Sequence, residues 1–348
     1  MTVKISLSLF VLLGLCLIAA RPPAGAEDFY QGKTIHFIVG AAPGGGYDTY
    51  TRTVARHFGR HIPGHPTTVV QNMTGAGTLI AAHHLYHKAE PDGLTLGAWN
   101  SGQVLRQALD DRAVKFKADK FGWIGAPVRG MPSCGLMGYT GVKTLDDVLK
   151  SKKRLKIGST RAGTTTDDLP RLLNLTLGTQ LDVIPGFTGT SRIRIAMQKR
   201  EIDGVCFGWE SMRVTATSML RAEGDEKFIP FITHGRPEDP EVKGLPELTE
   251  VVKGKNLAVV KAWVGQYDFQ RPLSLPPGTP KDRTAALRRA YKATLEDPQF
   301  LADANRSKLI IDYVSGEEIE KIVHEILTIS PEAKASLQQL GVKTKKTN

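Results

Sequence analysis

Apolar residues in this chain change their spacing repeatedly, from continuous runs to helical intervals, and small residues stand at each change. The first run, residues 35–39, shows little alternation, as expected of a strand buried on both faces of a parallel sheet. After a glycine-rich turn, apolar residues recur every three or four positions, at Tyr47, Tyr50, Val54, Phe58 and Ile62. The pattern therefore predicts a buried strand, a tight turn and an amphipathic helix.

The same unit of strand, small-residue turn and helix recurs further along the chain. Asp167 and Asp168 fit the positive end of one later helix, and Pro170 is expected in its first turn. Such repetition is typical of doubly wound α/β folds, whose ligands bind beyond the carboxyl ends of the strands. Further strands are predicted at residues 67–73, 94–98, 155–158, 181–184 and 258–267.

The first turn has the composition of an anion site. Gly44, Gly45 and Gly46 precede the helix, where unpaired N–H groups and the positive end of the helix dipole meet. A dinucleotide-binding motif would require glycine where Thr49 stands, and a phosphate-binding P-loop would require a lysine that does not follow here. The turn is therefore expected to bind an anion, most simply a carboxylate; the alternative is a tight turn that binds nothing.

The first 26 residues have the pattern of a secretory signal peptide. Lys4 supplies the positive start, residues 7–20 the apolar segment, and residues 24–26 an A-x-A cleavage site that ends at Ala26. The apolar segment is shorter than a membrane span. We therefore expect an exported protein that is cleaved after Ala26.

Length, charge and cysteine content limit the classes of protein to which this sequence can belong. The sequence has 348 residues, more than one core usually supports, so two domains are expected. A net charge of +11 favours anionic partners weakly, but basic residues are spread along the chain and predict no nucleic-acid binding. Cys134 and Cys206 are the cysteines beyond the leader, and the sequence leaves open whether they form a disulfide or remain two buried thiols.

Candidate catalytic and metal-binding residues are few. His83 and His87 lie four residues apart, but His84 stands where a zinc protease would carry its glutamate, and no third ligand is identifiable. The sequence also contains no Gly-x-Ser-x-Gly turn. Asp146 and Asp147 follow Thr144 in a helix capping box, so capping explains these carboxylates. We expect no enzyme activity, cofactor or metal.

Several motifs occur in the order typical of one family. They are residues 43–48 with Arg52, residues 72–77, residues 91–93 before a strand, residues 142–147, residues 158–160, residues 186–191, residues 202–204 and residues 275–280. In these motifs the chain resembles the periplasmic substrate-binding proteins of tripartite tricarboxylate transporters, the Bug family. The resemblance covers essentially all of the chain after the leader.

The resemblance implies a fold and an organisation. It predicts two doubly wound α/β domains that face a central cleft, as in periplasmic binding proteins of the Venus-flytrap type. Residues 27–127 and 236–348 would form the first domain, and residues 128–235 the second. The implied partners are a small-molecule carboxylate ligand and the integral-membrane permease subunits, and the binding protein is expected to be a monomer.

The resemblance also implies which residues line the ligand site. Both glycine- or hydroxyl-rich turns would hold the ligand through backbone amides and hydroxyl groups, and further residues would complete the cleft wall. The predicted set is Pro43, Gly44, Gly45, Gly46, Tyr47, Asp48, Asn72, Ser101, Ser159, Thr160, Arg161, Gly163, Thr164, Thr165, Thr188, Gly189, Thr190, Asp203 and Trp209.

Three of these residues have alternative roles. Arg161 could pair with a second ligand carboxylate or face water on the rim. Trp209 could stack on an aromatic ligand or belong to the core. Asp48 could contact the ligand or cap the helix, since an acid would repel an anion.

The sequence thus predicts a periplasmic receptor for a di- or tricarboxylate or an aromatic acid. Two alternatives remain open: an extracytoplasmic carboxylate sensor that signals to a membrane kinase, and a secreted α/β enzyme.

Overall fold

A computed structural model describes residues 29–160, 163–235 and 240–342. Two predictions, the leader of residues 1–26 and the role of Arg161, lie outside these described residues. In the described ranges, no helix is both long and apolar enough to cross a membrane.

Strands and helices alternate along most of the chain. The strands are β1 (Thr34–Val39), β2 (Thr67–Asn72), β3 (Thr95–Ala98), β4 (Gly122–Ala126), β5 (Pro132–Met137), β6 (Leu155–Gly158), β7 (Leu181–Ile184), β8 (Gly204–Gly208), β9 (Phe228–Thr233), β10 (Leu273–Leu275) and β11 (Val314–Ser315). The helices are α1 (Gly46–Phe58), α2 (Leu79–His87), α3 (Gly102–Ala108), α4 (Leu145–Lys150), α5 (Thr165–Leu177), α6 (Thr190–Gln198), α7 (Trp209–Thr215), α8 (Thr217–Arg221), α9 (Leu248–Val251), α10 (Lys255–Val264), α11 (Lys281–Glu296), α12 (Pro298–Arg306), α13 (Gly316–Leu327) and α14 (Pro331–Val342).

The first sheet has the strand order β11-β4-β10-β3-β1-β2. Its parallel part is formed by β1 between β2 and β3, whereas β10 and β11 run antiparallel to their neighbours. Val39 lies opposite both Asn72 and Ala98, so these three strands end level with one another. The glycine turn before α1 and the residues that follow β2 and β3 therefore lie at one edge of the sheet.

The second sheet has the order β7-β6-β8-β5-β9, with β6 parallel to β7 and β8. Its parallel strands also send their carboxyl ends to one edge, which carries Ser159, Thr160, residues 163–165, residues 185–190 and the start of α7. The antiparallel strand β5 pairs with β8 and β9. Both sheets are thus mixed rather than wholly parallel, and helices cover them in an α/β arrangement.

A disulfide joins Cys134 on β5 to Cys206 on β8. The two residues lie directly opposite in the antiparallel pair, with Cα atoms 4.0 Å apart, and both are fully buried. The disulfide answers the question that the sequence left open, since the two cysteines form a bridge rather than two thiols.

The C-terminal helix α14 connects parts of the chain that lie far apart in sequence. It packs against α10 and against α5, which follows a strand of the second sheet. Ala333 and Leu337 of α14 are buried in a core cluster that also contains Leu172 and Trp263.

Two local predictions differ from the structure. Residues 258–267 were expected to form a strand but belong to α10 and a following 3-10 turn, Gly265–Tyr267. Val259, Val260 and Trp263 are buried while Lys261 is exposed, so the apolar run has helical rather than alternating spacing. Pro170 is the sixth residue of α5 rather than part of its first turn, because this helix already begins at Thr165. The capping box at Thr144 and Asp147 is confirmed.

Candidate functional site

The first glycine turn is held in shape by Asp48. This buried carboxylate accepts hydrogen bonds from the Gly44 amide at 2.9 Å, from Arg52 Nε at 2.9 Å and from Asn72 Nδ2 at 2.8 Å. Burial alone would raise the pKa of Asp48, but these hydrogen bonds together lower it. Asn72 also donates to the Ala41 carbonyl and accepts from Arg52. The polar side-chain atoms of Asp48 and Asn72 therefore have partners within the turn.

The N-terminus of α1 remains available at this turn. Gly45 precedes the helix without a side-chain cap, so the N–H groups of Gly46 and Tyr47 have no acceptor within the helix. Gly44 has a φ of +76°, a conformation that favours glycine. Pro43 and Gly44 are exposed. The predicted arrangement of strand, glycine turn and free helix end is thus present.

The second turn is organised by hydroxyl groups. The buried Ser159 hydroxyl donates to Asp167 at 2.8 Å, and this carboxylate also pairs with Arg171. The amide of Gly163 donates to Asp168 at 3.0 Å, and burial raises the pKa of Asp168 to about 7. The hydroxyl groups of three threonines lie within hydrogen-bond distance of one another: Thr160, Thr164 and Thr166.

A connecting segment, residues 265–271, touches the start of both helices. Thr165, the first residue of α5, shares a hydrogen bond of 2.8 Å with the Tyr267 hydroxyl. The guanidinium carbon of Arg271 lies 4.5 Å from the ring centroid of Tyr50 and 5.8 Å from that of Tyr47. The N-terminal ends of α1 and α5 therefore contact the same short segment. The helix α1 follows a strand of the first sheet, and α5 follows a strand of the second. We call the region formed by these two helix ends and this segment the cleft site.

Arg271 is the residue of this site that sequence reasoning missed. It is 9% exposed, and its Nε and Nη1 atoms have no hydrogen-bond partner within the described part of the chain. Its Nη2 atom lies 3.6 Å from Oε1 of Glu210, whose side chain is 9% exposed. Glu210 stands at the start of α7, the helix that follows β8 of the other sheet. Arg271 also has a φ of +59°, unusual for a residue other than glycine.

Tyr47 adds a second buried polar group. Its hydroxyl donates to no acceptor among the residues that the structure describes, although the backbone amide of Arg271 is near enough to its oxygen to lower its pKa slightly. Burial is the main cause that raises the pKa of Tyr47, to about 12, so the hydroxyl is a neutral donor at physiological pH. Unpaired buried donors cost free energy, and their occurrence beside a free helix end is a property of binding sites.

The other predicted residues fall into two groups. Thr188, Gly189 and Thr190 follow β7 at the same sheet edge as the second turn and are partly exposed or exposed. The Ser101 hydroxyl is fully buried, where it donates to the Gln266 carbonyl and accepts from Gln270.

Two predicted cleft residues occupy other places. Asp203 directly precedes β8 and accepts from the Lys156 amide near the start of β6, so it lies at the amino end of these strands. It therefore does not belong with the turns at the carboxyl ends. Trp209 is fully buried in a core cluster, which favours its alternative role in packing.

The histidines considered as metal ligands have ordinary partners. His83 accepts from the Lys115 amide at 3.0 Å, and His87 lies 2.8 Å from the Lys115 carbonyl. Across the described ranges, no group of three or more histidine, cysteine or acidic residues is arranged to hold a metal ion.

Comparisons with known proteins agree with this architecture. No model of a protein family matches the chain. A protein of Agrobacterium vitis, described as the "UPF0065 protein in the TAR-I ttuE-ttuC' intergenic region", is 25% identical over 286 residues, which cover 80% of this chain and 76% of that protein.

Solved structures resemble the fold over nearly the whole chain. A TctC solute-binding protein from Polaromonas, solved without ligand, gives a TM-score of 0.69 at 16% identity, covering 89% of this chain and 99% of the other. The periplasmic binding protein BugD gives 0.61 at 20% identity, covering 90% and 99%. MatC from Rhodopseudomonas palustris, solved with bound malate, gives 0.60 at 21% identity, covering 88% and 99%.

The chain therefore has the two-domain α/β fold of periplasmic solute-binding proteins. Among these, it has the fold of the TctC and Bug proteins of tripartite tricarboxylate transporters, as the sequence motifs predicted. These neighbours are binding proteins rather than enzymes.

Proposed function

We propose that this protein is a periplasmic receptor that captures a small carboxylate between two domains and delivers it to a tripartite tricarboxylate-type permease. The observation that carries this proposal is the meeting of two helix N-termini, those of α1 and α5, at residues 265–271. A helix N-terminus favours negative charge, and two of them beside one segment suit an acidic solute.

The proposed domains follow the two sheets. β1–β4, β10 and β11 form one sheet and β5–β9 the other, which supports a first domain of residues 27–127 and 236–348 and a second of residues 128–235. The chain would cross between them where β4 leads to β5, and again after β9. We further propose export to the periplasm with cleavage after Ala26, and a monomer that works with permease subunits.

In the proposed complex, backbone amides and hydroxyl groups hold the acid. The amides of Gly46 and Tyr47 would bind it from the first domain, whereas the Gly45 amide already donates to the Ala42 carbonyl at 3.2 Å. Closure of the domains would exclude water and strengthen these interactions. From the second domain, we retain the exposed or half-buried residues of the two turns: Thr160, Gly163, Thr164, Thr165, Thr188, Gly189 and Thr190.

Other predicted residues support the site without facing the ligand. Asp48, Asn72 and Ser159 hold the turns in shape through the hydrogen bonds described above. Ser101 fixes the connecting segment, because it binds the backbone of Gln266. Pro43 and Gly44 would form the outer rim of the first turn.

The proposal is tested by ligand-dependent thermal unfolding. The purified protein is unfolded and refolded to remove carried-over solute, then heated with mono-, di- and tricarboxylates, aromatic acids and amino acids. A true ligand at a hundredfold excess over its dissociation constant adds about 2.7 kcal/mol of stability, which raises the midpoint by a few degrees. The matching amides serve as controls and should give no rise. The absence of a rise with every acid contradicts the proposal.

A further inference from the structure

The cleft site contains a buried cation, Arg271, two of whose three side-chain nitrogen atoms have no hydrogen-bond partner among the described residues. Arg271 Nε and Nη1 have no acceptor among the described residues, and the Tyr47 hydroxyl beside them has none either. Burial of a guanidinium group without hydrogen bonds is costly in free energy, because the charge loses its hydration and gains no partner in exchange. A group of this kind is suited to an acceptor of negative charge.

The position of Arg271 directs these donors to the free end of α1. A Cβ atom on Gly46 would lie 3.3 Å from Arg271 Nη2 and 3.5 Å from Nε, so the guanidinium lies directly against the first residue of the helix. A Cβ atom at Gly46 would crowd the guanidinium at this distance. Amide donors of the helix and charged donors of Arg271 can therefore reach one bound group.

Glu210 faces the same guanidinium from the second domain. The separation of 3.6 Å between its Oε1 and Arg271 Nη2 is longer than a hydrogen bond, although both side chains are buried. Its other oxygen accepts from the Met131 amide at 3.4 Å. The pair is thus an electrostatic contact without close geometry, and a better-placed anion can replace it.

Building on the function proposed above, we infer that Arg271 and the Tyr47 hydroxyl bind a carboxylate group of the ligand directly, and that Glu210 is the counter-ion which this carboxylate replaces. The ligand is then recognised by a charged, planar donor as well as by backbone amides. A neutral isostere of the same shape cannot satisfy the guanidinium, so the site discriminates by charge.

The two members of the pair have opposite effects in this arrangement. Arg271 attracts the ligand, whereas Glu210 competes with it for the same donors. Removing the charge at Arg271 therefore weakens binding of an acid, and removing the charge at Glu210 strengthens it. A ligand ammonium group held by Glu210 would give the reverse result for Glu210.

Isothermal titration of the intact protein with the best carboxylate from the thermal screen tests this inference. Arg271→Gln should lose ten- to a hundredfold in affinity, which matches the loss of charge-assisted hydrogen bonds. Glu210→Gln should gain severalfold, and Tyr47→Phe should lose severalfold. Arg200→Gln removes the same charge from an exposed pair with Asp225 and should bind like the unmodified protein.

Each result tests a different part of the inference. Equal affinity of Arg271→Gln and the unmodified protein overturns the role of Arg271 and leaves the carboxylate receptor intact. Weaker binding by Glu210→Gln overturns its role as a competing counter-ion. If Arg271→Gln does not fold, unchanged binding by Tyr47→Phe and by Glu210→Gln overturns the inference. The failure of the unmodified protein to bind any acid overturns both the receptor function and this inference.

Discussion

Thr165 and Tyr267 share a hydrogen bond of 2.8 Å that joins the first turn of α5 to the connecting segment. Tyr267 is buried, and burial is the main cause that raises the pKa of its hydroxyl well above the ordinary value, so the phenol stays neutral. The bond thus links α5, which follows a strand of the second sheet, to the segment that carries Arg271.

Removal of this hydrogen bond should lower stability. Tyr267→Phe is expected to cost about 1 kcal/mol in the free energy of unfolding, because Thr165 loses its buried partner. Thr165→Val should cost a similar amount. Urea unfolding of both single variants and the double variant checks this, since the double variant should lose less than the sum. Strict additivity would show that the two hydroxyl groups do not interact.

Loss of the disulfide should destabilise the second domain. The bridge between Cys134 and Cys206 spans 72 residues of sequence, and constraint of a loop of that length contributes about 4 kcal/mol. The double variant Cys134→Ala with Cys206→Ala should therefore melt roughly 10 °C lower. Each single alanine variant breaks the same bond and should show a comparable loss. An unchanged midpoint for the double variant contradicts the expectation.

Stability should fall in alkaline solution because of His234. Burial lowers the pKa of His234, but Asp268 and Glu247, whose carboxylate oxygens lie 3.4 Å and 2.8 Å from its ring nitrogens, raise it to about 9. The protonated ring stabilises the fold fully below pH 6.5, and this contribution of about 3 kcal/mol disappears as the pH rises through 9.

Urea unfolding between pH 6 and pH 9.5 measures this loss. The variant His234→Gln, which cannot be protonated, should show a flatter profile and should approach the unmodified protein at the alkaline end. Parallel profiles for the two proteins would exclude His234 as the group responsible.

The variant Gly46→Ala should weaken ligand binding and leave the stability of the fold nearly unchanged. The backbone of Gly46 does not have a positive φ, and alanine is the best residue for a helix, so folding should be little affected. The new methyl group would press on Arg271 Nη2 at 3.3 Å, and affinity for a carboxylate should fall at least severalfold. Titration calorimetry and thermal unfolding of the same sample give both quantities.

The double variant Gly46→Ala with Arg271→Gln provides the control. If the alanine acts through the guanidinium, the double variant should bind no more weakly than Arg271→Gln alone. A further, independent loss would show that Gly46→Ala disturbs the turn itself.

The local sequence was sufficient to predict the glycine turn with its strand and its helix. The run from Ile35 to Val39 and the helical spacing after Gly46 depend on neighbouring residues only, and the structure has a strand and a helix there. Residues 258–267 show the limit of this reasoning, because a short apolar run fits a strand or a buried helix equally well. The burial of Trp263 against other helices decides for the helix.

Arg271 could not be found in the same way. Its partners Gly46, Tyr47 and Glu210 come from distant parts of the sequence, and only the packing of both domains brings them to one place. The sequence offered a weak local indication of its role, since Arg271 is a charged residue directly before Pro272 and the buried strand β10. The error for Asp203 is of another kind. Its sequence motif was recognised, but the motif does not reveal at which end of strand β8 the residue lies.

The contacts of α14 impose an order on folding. Because this last helix packs against α5 and α10, the surface of α5 near residue 172 stays uncovered until residues 331–342 have been synthesised. Contacts so distant along the chain form late and slowly. The packing around α5 is therefore completed only when residues 331–342 are available to cover it, although α5 itself lies about 160 residues earlier in the sequence.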